Sequence, residues 1–90
     1  MKLKTAIVGM GKMGRIRKEA IDAHPNFETI ALCDMDHSVK SEFPELSFFS
    51  SWEDLIQNVK LDAIFVCTYN NVAPDIVCAA LGKKIHVFCG

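Results

Sequence analysis

Short apolar runs of strand length alternate along the chain with longer stretches in which apolar residues recur every three or four positions. The first pattern is typical of strands, and the second is typical of helices that bury one face. The run at 62–68 is almost continuously apolar, as expected of a central strand that is covered on both faces. The patterns predict strands at 4–8, 28–33, 46–49, 62–68 and 85–89, predict helices at 12–24, 50–59 and 74–81, and allow a helical turn near 37–42.

Polar residues at the predicted helices add detail to this pattern. Ser50 and Glu53 are three residues apart just before an apolar run, which is the spacing of a capping box with Ser50 as the N-cap. On the first helix, oppositely charged residues four positions apart face each other and are expected to form ion pairs. These pairs are Arg15 with Glu19 and Lys18 with Asp22.

Strands that alternate with helices indicate a parallel sheet, because each parallel connection needs a crossover. Right-handed crossovers then give an α/β, Rossmann-like, doubly wound sheet with the strand order 3-2-1-4-5. The 90 residues are predicted to form a single domain over 1–90. A full Rossmann sheet has a sixth strand, so we expect this sheet to be incomplete at its C-terminus. Its apolar last strand would then lie at an unpaired edge and favour self-association.

Charge and composition argue against several classes of partner. The formal net charge is −1 and no basic stripe is present, which argues against nucleic acid and anionic membrane surfaces. The apolar runs are too short to span a bilayer. No signal-like segment precedes the first strand pattern, so a cytoplasmic location is expected. The four cysteines contain no C-x-x-C pair and are expected to be buried and reduced.

A glycine motif of the form G-x-G-x-x-G occupies positions 9–14, between the first predicted strand and the first predicted helix. In that setting it predicts a dinucleotide-binding domain. Gly9 would allow the tight turn, Gly11 would let the backbone approach a pyrophosphate, and Gly14 would let the helix pack closely on the sheet. The free N–H groups at the start of the helix would receive the diphosphate. The predicted cofactor-binding residues of this unit are Gly9, Gly11, Lys12, Met13 and Gly14.

An acidic residue, Asp34, ends the second predicted strand twenty positions after the last glycine of the motif. Its carboxylate would accept hydrogen bonds from the adenosine ribose hydroxyls and would repel a 2′-phosphate. No Arg or Lys lies in the next five positions to offset that repulsion, so NAD is favoured over NADP. Asp36 is the competing carboxylate, although a solvated loop acid is the simpler interpretation of it.

Together these motifs resemble a known family, the oxidoreductases named for glucose–fructose oxidoreductase, inositol dehydrogenase and the rhizopine protein MocA. The resemblance covers the whole chain. It rests on the segments 6–14, 31–34, 65–70 and 85–89. The first two segments are shared with many Rossmann enzymes, and the last two are more specific to this family.

The resemblance implies a second, C-terminal α+β domain and hydride transfer between NAD or NADP and a hydroxyl-bearing carbon of a sugar, cyclitol or related small molecule. The family's fourth-strand motif lies beside the cofactor, which implies that Thr68 and Asn70 are cofactor-binding residues. The chain departs from the family pattern at Tyr69, where Pro is usual, at Ala73, where many members have His, and at Gly90, where Glu is usual. The lysine that assists proton transfer in the family would follow Gly90.

Two functional hypotheses follow from the sequence. In the first, the chain is the nucleotide-binding part of a longer NAD(P)-dependent dehydrogenase that binds its small-molecule substrate through the missing domain and forms a homo-oligomer. In the second, the 90 residues are a complete, non-catalytic NAD-binding or sensing module. No side chain of the chain is a convincing proton-transfer residue, and no metal site is predicted, so the 90-residue chain alone is expected to be inactive.

Overall fold

The fold is taken from a computed structural model, which describes residues 2–68 and 73–89. Strands and helices alternate as the apolar pattern predicts, and the optional helical turn forms the short helix α2. The strands are β1 Leu3–Val8, β2 Phe27–Cys33, β3 Ser47–Phe49, β4 Ala63–Val66 and β5 His86–Cys89. The helices are α1 Lys12–Ala23, α2 Ser38–Glu42, α3 Trp52–Asn58 and α4 Ala73–Gly82.

The five strands form one parallel sheet with the order β3-β2-β1-β4-β5. This confirms the predicted Rossmann-like α/β fold. From β1 the chain adds β2 and β3 on one side of the sheet and then adds β4 and β5 on the other side. This change of direction creates a crevice at the carboxyl ends of β1, β2 and β4. β5 lies at the edge of the described sheet, where Phe88 is 43% exposed. Self-association through this edge stays a prediction.

Two apolar clusters hold the helices on opposite faces of the sheet. One cluster joins Leu55 of α3 and Ile76 of α4 to strand residues such as Ile64. The other joins Ile21 of α1 and Val39 of α2 to further strand residues. Each of these side chains is less than 9% exposed, so each contributes on the order of 1.5–3 kcal/mol of burial free energy. The strand ends that carry the glycine motif are therefore held from both faces.

The start of α3 differs from its prediction. Ser51, and not Ser50, is the N-cap: its backbone is extended, and its Oγ accepts a hydrogen bond from the Asp54 backbone N–H at 3.3 Å. The same hydroxyl donates to Glu53 Oε1 at 2.9 Å. Two adjacent serines have equal capping propensity. The choice between them is made by where β3 ends and the chain turns away from the sheet.

One of the two ion pairs predicted on α1 forms, and the other does not. Lys18 pairs with Asp22 at 2.7 Å, as the helical spacing requires. Arg15 pairs with Glu42 of α2 instead of Glu19. The reason is tertiary, because the packing of α2 beside α1 brings a carboxylate that offers both oxygens to the guanidinium.

The prediction that the cysteines are buried is correct for Cys33 and Cys67 and wrong for Cys78 and Cys89, which are exposed. Cys89 lies on the edge strand, and Cys78 lies on the outward face of α4, so neither is covered. All four are free thiols. No helix in the described part of the chain is both long and apolar enough to cross a membrane.

These environments predict two classes of thiol reactivity. Burial, helped by the charges of Asp34 and Glu53, raises the pKa of Cys33 to about 12, so very little thiolate is present at pH 8. Burial also raises the pKa of Cys67. We expect an aromatic disulfide reagent at pH 8 to modify two thiols quickly and the other two only after denaturation. Mass spectrometry should locate the two rapid modifications at Cys78 and Cys89. Rapid modification of Cys33 in the folded protein would contradict the packing of β2.

Candidate functional site

The turn between β1 and α1 depends on two glycines that no other residue could replace without strain. Gly9 has φ +95°, and a Cβ there would lie 2.9 Å from the carbonyl oxygen of Cys67. A Cβ on Gly14 would lie 1.9 Å from the carbonyl oxygen of Gly9. The first helical turn of α1 therefore rests directly on the backbone of the strand exit, as the sequence predicts for Gly14.

Neighbouring strands hold this turn in place. The Gly9 N–H donates to the Cys33 carbonyl at 2.8 Å, and the Cys67 N–H donates to the Val8 carbonyl at the same distance. The turn is thus fixed between the ends of β2 and β4. A rigid turn at this position can present its backbone to a ligand without paying to order it first.

The start of α1 is open toward the crevice. Gly11 is the N-cap residue and has no side chain to cap the helix, and a Cβ placed on it would meet nothing within 4 Å. The first intrahelical bond at this end runs from the Arg15 N–H to the Gly11 carbonyl at 3.0 Å. The preceding N–H groups of the first turn have no intrahelical acceptor, so together with the helix dipole they favour an anion.

The Asp34 carboxylate lies directly beside the glycine turn. Its Oδ2 accepts a hydrogen bond from the Met10 N–H at 2.6 Å, and its Oδ1 accepts one from the Asp36 N–H at 2.9 Å. The Asp34 N–H donates to the Phe49 carbonyl at 3.1 Å. The bonds with Met10 and Phe49 tie the end of β2 to the turn on one side and to β3 on the other, and the bond from the Asp36 N–H fixes the second carboxylate oxygen locally. One carboxylate, fixed in orientation, therefore faces the crevice with acceptor capacity left over.

Asp36 has a separate, local task. Its Oδ1 accepts hydrogen bonds from the Ser38 hydroxyl at 2.7 Å and from the Ser38 N–H at 3.0 Å. The Ser38 hydroxyl and N–H lower the pKa of this exposed carboxyl below its usual value. Asp36 thus stabilises the start of α2 and is not the carboxylate bound to the glycine turn.

A cavity of about 570 Å³ occupies the crevice. Five of the predicted cofactor-binding residues line it: Gly9, Gly11, Met13, Asp34 and Thr68. Two others do not. Gly14 is buried beneath the turn, and Lys12 is exposed at the first position of α1. Asn70, together with Tyr69 and Gly90, lies outside the described residues.

The junction of β3 and α3 forms a wall of this cavity that the sequence analysis missed. It contributes Ser50, Ser51, Trp52 and Glu53. Trp52 also packs against the core cluster around Leu55, as a residue that anchors a helix start would. The parallel sheet was the available signal, because the carboxyl ends of adjacent parallel strands meet at one edge and the residues after β3 must lie there.

The hydroxyl of Thr68 is a polar group of the cavity that no protein atom satisfies in the described part of the chain. Thr68 Oγ1 is buried and has no hydrogen-bond partner within residues 2–68 and 73–89. An unpaired buried hydroxyl costs on the order of 1–3 kcal/mol, which a bound ligand with a polar group would recover. The open N-cap, the fixed carboxylate and this hydroxyl together fit a dinucleotide, which carries a diphosphate and ribose hydroxyls.

A second cavity, of about 410 Å³, lies at the amino-terminal edge of the sheet. It is lined by residues 56–61 with Lys83 and Ile85 and shares none of the residues of the glycine turn. Lys83 Nζ already donates to the Ile56 carbonyl at 3.2 Å. This ammonium group offsets part of the negative charge of the carbonyl groups at the C-terminal end of α3. Ligands of open α/β sheets bind at the carboxyl ends of the strands, so the first cavity is the candidate site.

Comparison with known proteins identifies the family of the chain. A family model described as an oxidoreductase family with an NAD-binding Rossmann fold matches residues 3–90. An oxidoreductase of Bacillus subtilis, YrbE, is 29% identical over 89 residues, which cover 94% of this chain and 26% of that protein. The myo-inositol 2-dehydrogenase of Thermotoga maritima is 28% identical over 91 residues, which cover 97% of this chain and 27% of that enzyme.

A solved structure shares the fold. The crystal structure of scyllo-inositol dehydrogenase from Lactobacillus casei, with bound NAD(H) and scyllo-inositol, superimposes with a TM-score of 0.88 at 23% identity. The match covers 99% of this chain and 28% of that one. The chain thus spans about a quarter of the length of the proteins it matches.

Proposed function

Because the chain belongs to the oxidoreductase family with an NAD-binding Rossmann fold, we propose that it holds NAD in the 570 Å³ cavity. We further propose that residues 1–90 are the dinucleotide-binding domain of a longer dehydrogenase. That enzyme would move hydride between NAD and a hydroxyl-bearing carbon of a sugar, cyclitol or related small molecule. The observation that carries the proposal is the Asp34 carboxylate, fixed by two backbone N–H groups beside an open helix start.

Several residues in and beside the cavity have a proposed role in binding the cofactor. The N–H groups at the start of α1 would bind the diphosphate, with Gly11 leaving room for it and the exposed Lys12 adding positive charge. The spare lone pairs of Asp34 would accept hydrogen bonds from the adenosine ribose hydroxyls. Thr68 Oγ1 would find in the cofactor the partner that it lacks. Asn70 is proposed to assist it on the strength of the family motif alone.

Charge around the ribose side of the cavity favours NAD over NADP. Asp34 and Asp36 are both acidic, and the Arg15 guanidinium is paired with Glu42. A 2′-phosphate would bring about two more negative charges toward these carboxylates, while the fork-shaped donor of Arg15 is already occupied by Glu42. The 2′-hydroxyl of NAD can instead donate to Asp34.

Bound nicotinamide supplies the site that accepts or donates hydride, and the chain supplies binding and orientation. In the described part of the chain the cavity has no histidine, lysine or tyrosine to move the hydroxyl proton. Cys33, with a pKa of about 12, is a poor proton donor at neutral pH. The proton-transfer group is therefore proposed to come from residues outside the described ones. The cyclitol substrate class rests on relatives that are inositol dehydrogenases. The comparisons do not support the alternative of a stand-alone sensing module.

The proposal is tested by the binding of NAD and NADP to the purified chain, measured by calorimetry. The wild type should bind NAD more tightly than NADP. Replacing Asp34 with Ser and Met35 with Arg removes the ribose carboxylate and adds a phosphate ligand at a residue that is 84% exposed. We expect the ratio of the two dissociation constants to shift toward NADP by about 10-fold or more, since one charged hydrogen bond is worth about 1.5–3 kcal/mol.

A matched control makes the same change in net charge away from the cavity. Glu28→Gln with Leu81→Arg alters two exposed residues, one on β2 and one on α4. This variant should keep the preference of the wild type. If the Asp34→Ser, Met35→Arg variant still prefers NAD to the same degree, Asp34 is not the ribose ligand. If the wild type binds neither nucleotide, the proposed function itself is wrong.

A further inference from the structure

Helix α1, which contributes Met13 to the cavity, is joined by a bidentate ion pair to helix α2, which follows Asp34 in the chain. Arg15 Nη1 lies 2.5 Å from Glu42 Oε2, and Arg15 Nη2 lies 2.8 Å from Glu42 Oε1. Arg15 belongs to the first turns of α1, and Glu42 is the last residue of α2. Both side chains are less than half exposed, and the guanidinium also lies 5.9 Å from the centre of the Phe43 ring. The pair therefore has a defined geometry.

Arg15 and Asp34 are anchored to the same short turn. The Arg15 N–H donates to the Gly11 carbonyl, and the Asp34 carboxylate accepts from the N–H of Met10, one residue earlier. The charges are within electrostatic range: Glu42 does most to raise the pKa of Arg15, and Asp34 and Asp36 raise it further. A long, flexible cation thus starts beside the ribose carboxylate and is turned toward α2.

We propose that Glu42 is a specificity-determining residue for the cofactor, because it holds both terminal nitrogens of Arg15 and so withholds that guanidinium from the 2′ position of the adenosine ribose. This inference rests on the proposed function, since it assumes that the ribose lies at Asp34. Glu42 touches no part of the cavity, and it acts only through Arg15.

The chemistry of the guanidinium explains why the two partners exclude each other. Its planar, fork-shaped donor set binds a carboxylate or a phosphate in the same two-point manner. While Glu42 occupies that fork, the guanidinium cannot receive a 2′-phosphate beside the Asp34 carboxylate. Once Glu42 is neutral, the fork is available and its charge is no longer cancelled.

The test compares the dissociation constants of NADP and NAD, measured by calorimetry, in four forms of the chain. In Glu42→Gln we expect the ratio of the NADP to the NAD constant to fall about fivefold, the value of one partly exposed ion pair, with NAD affinity retained. In Glu42→Gln with Arg15→Gln the ratio should return to that of the wild type. Glu19→Gln removes an equal charge from an exposed position of α1 that does not hold Arg15, and it should leave the ratio unchanged.

Three results would overturn the inference. An unchanged ratio in Glu42→Gln, with NAD still bound, would refute the role of Glu42 and leave the proposed function intact. A ratio that falls equally in the double variant, whose net charge equals that of the wild type, would mean that the loss of Glu42 acts without Arg15. An equal fall in Glu19→Gln would mean that net charge and not the freed Arg15 is responsible. Failure of the wild type to bind either nucleotide would remove the proposed function as well as this inference.

Discussion

A Gly14→Ala variant is expected to be strongly destabilised. The added Cβ would lie 1.9 Å from the Gly9 carbonyl oxygen and 2.9 Å from its carbon, both of them backbone atoms held by the turn. To remove this overlap α1 must move off the sheet, which uncovers the cluster around Ile21 and Met10. A cost above about 4 kcal/mol is expected for such a change, and a chain of this length has only about 5–13 kcal/mol in total.

Urea denaturation followed by circular dichroism measures this effect, and Gly82→Ala is the matched control. Gly82 is the last residue of α4, has no positive φ, and a Cβ there would meet nothing within 4 Å. The control should leave the free energy of unfolding unchanged or raise it by up to about 1 kcal/mol, because alanine favours the helix. A Gly14→Ala chain with the unfolding midpoint of the wild type would show that α1 does not pack against the turn as described.

A Gly11→Val variant is expected to fold and to lose NAD binding. A Cβ on Gly11 meets no protein atom within 4 Å, and its backbone is extended, so valine is tolerated there at a cost of about 1 kcal/mol or less. The same side chain would occupy the space into which the diphosphate must come. Overlap with a tightly held ligand costs about 3 kcal/mol, which corresponds to a loss of affinity of about 100-fold or more.

The measurement is calorimetric titration with NAD and with ADP-ribose, beside an unfolding curve for the same preparation. Gly82→Ala again serves as control and should bind both nucleotides as the wild type does. Gly14→Ala and Gly11→Val thus separate the two tasks of the motif, since one should lose much of its stability and the other only the ligand. Undiminished binding by Gly11→Val would place the nucleotide away from the start of α1.

The fold could be predicted from the sequence in nearly all of its elements. The apolar runs identify five strands because parallel strands are buried on both faces, and the strand order follows from right-handed crossovers without any contact information. The strands begin or end within a few residues of their predicted bounds; the run at 62–68, for example, yields the strand Ala63–Val66. Apolar residues and backbone hydrogen bonds continue past the strand ends, as the bond from the Cys67 N–H to the Val8 carbonyl shows.

The candidate site could be predicted only along single segments of the chain. The spacing from Gly9 to Gly14 and the acid at Asp34 identify one wall of the cavity, since the chemistry of that wall is local to one strand–turn–helix unit. The wall formed by Ser51 and Trp52 could not be assigned in the same way. Its residues carry a helix-capping motif but no ligand-binding motif, and they reach the cavity only because β3 lies beside β2.

The amino-acid sequence by itself determined the parallel α/β fold, the glycine turn and the carboxylate beside it, because each follows from periodicity, from the absence of a Cβ or from fixed spacing. Tertiary structure alone decided which serine caps α3, which acid binds Arg15, which cysteines are covered and which residues close the cavity. All four depend on which elements become neighbours. Ion pairs, caps and burial are decided by neighbours that are distant in sequence, whereas turns and strands are decided by neighbours that are close.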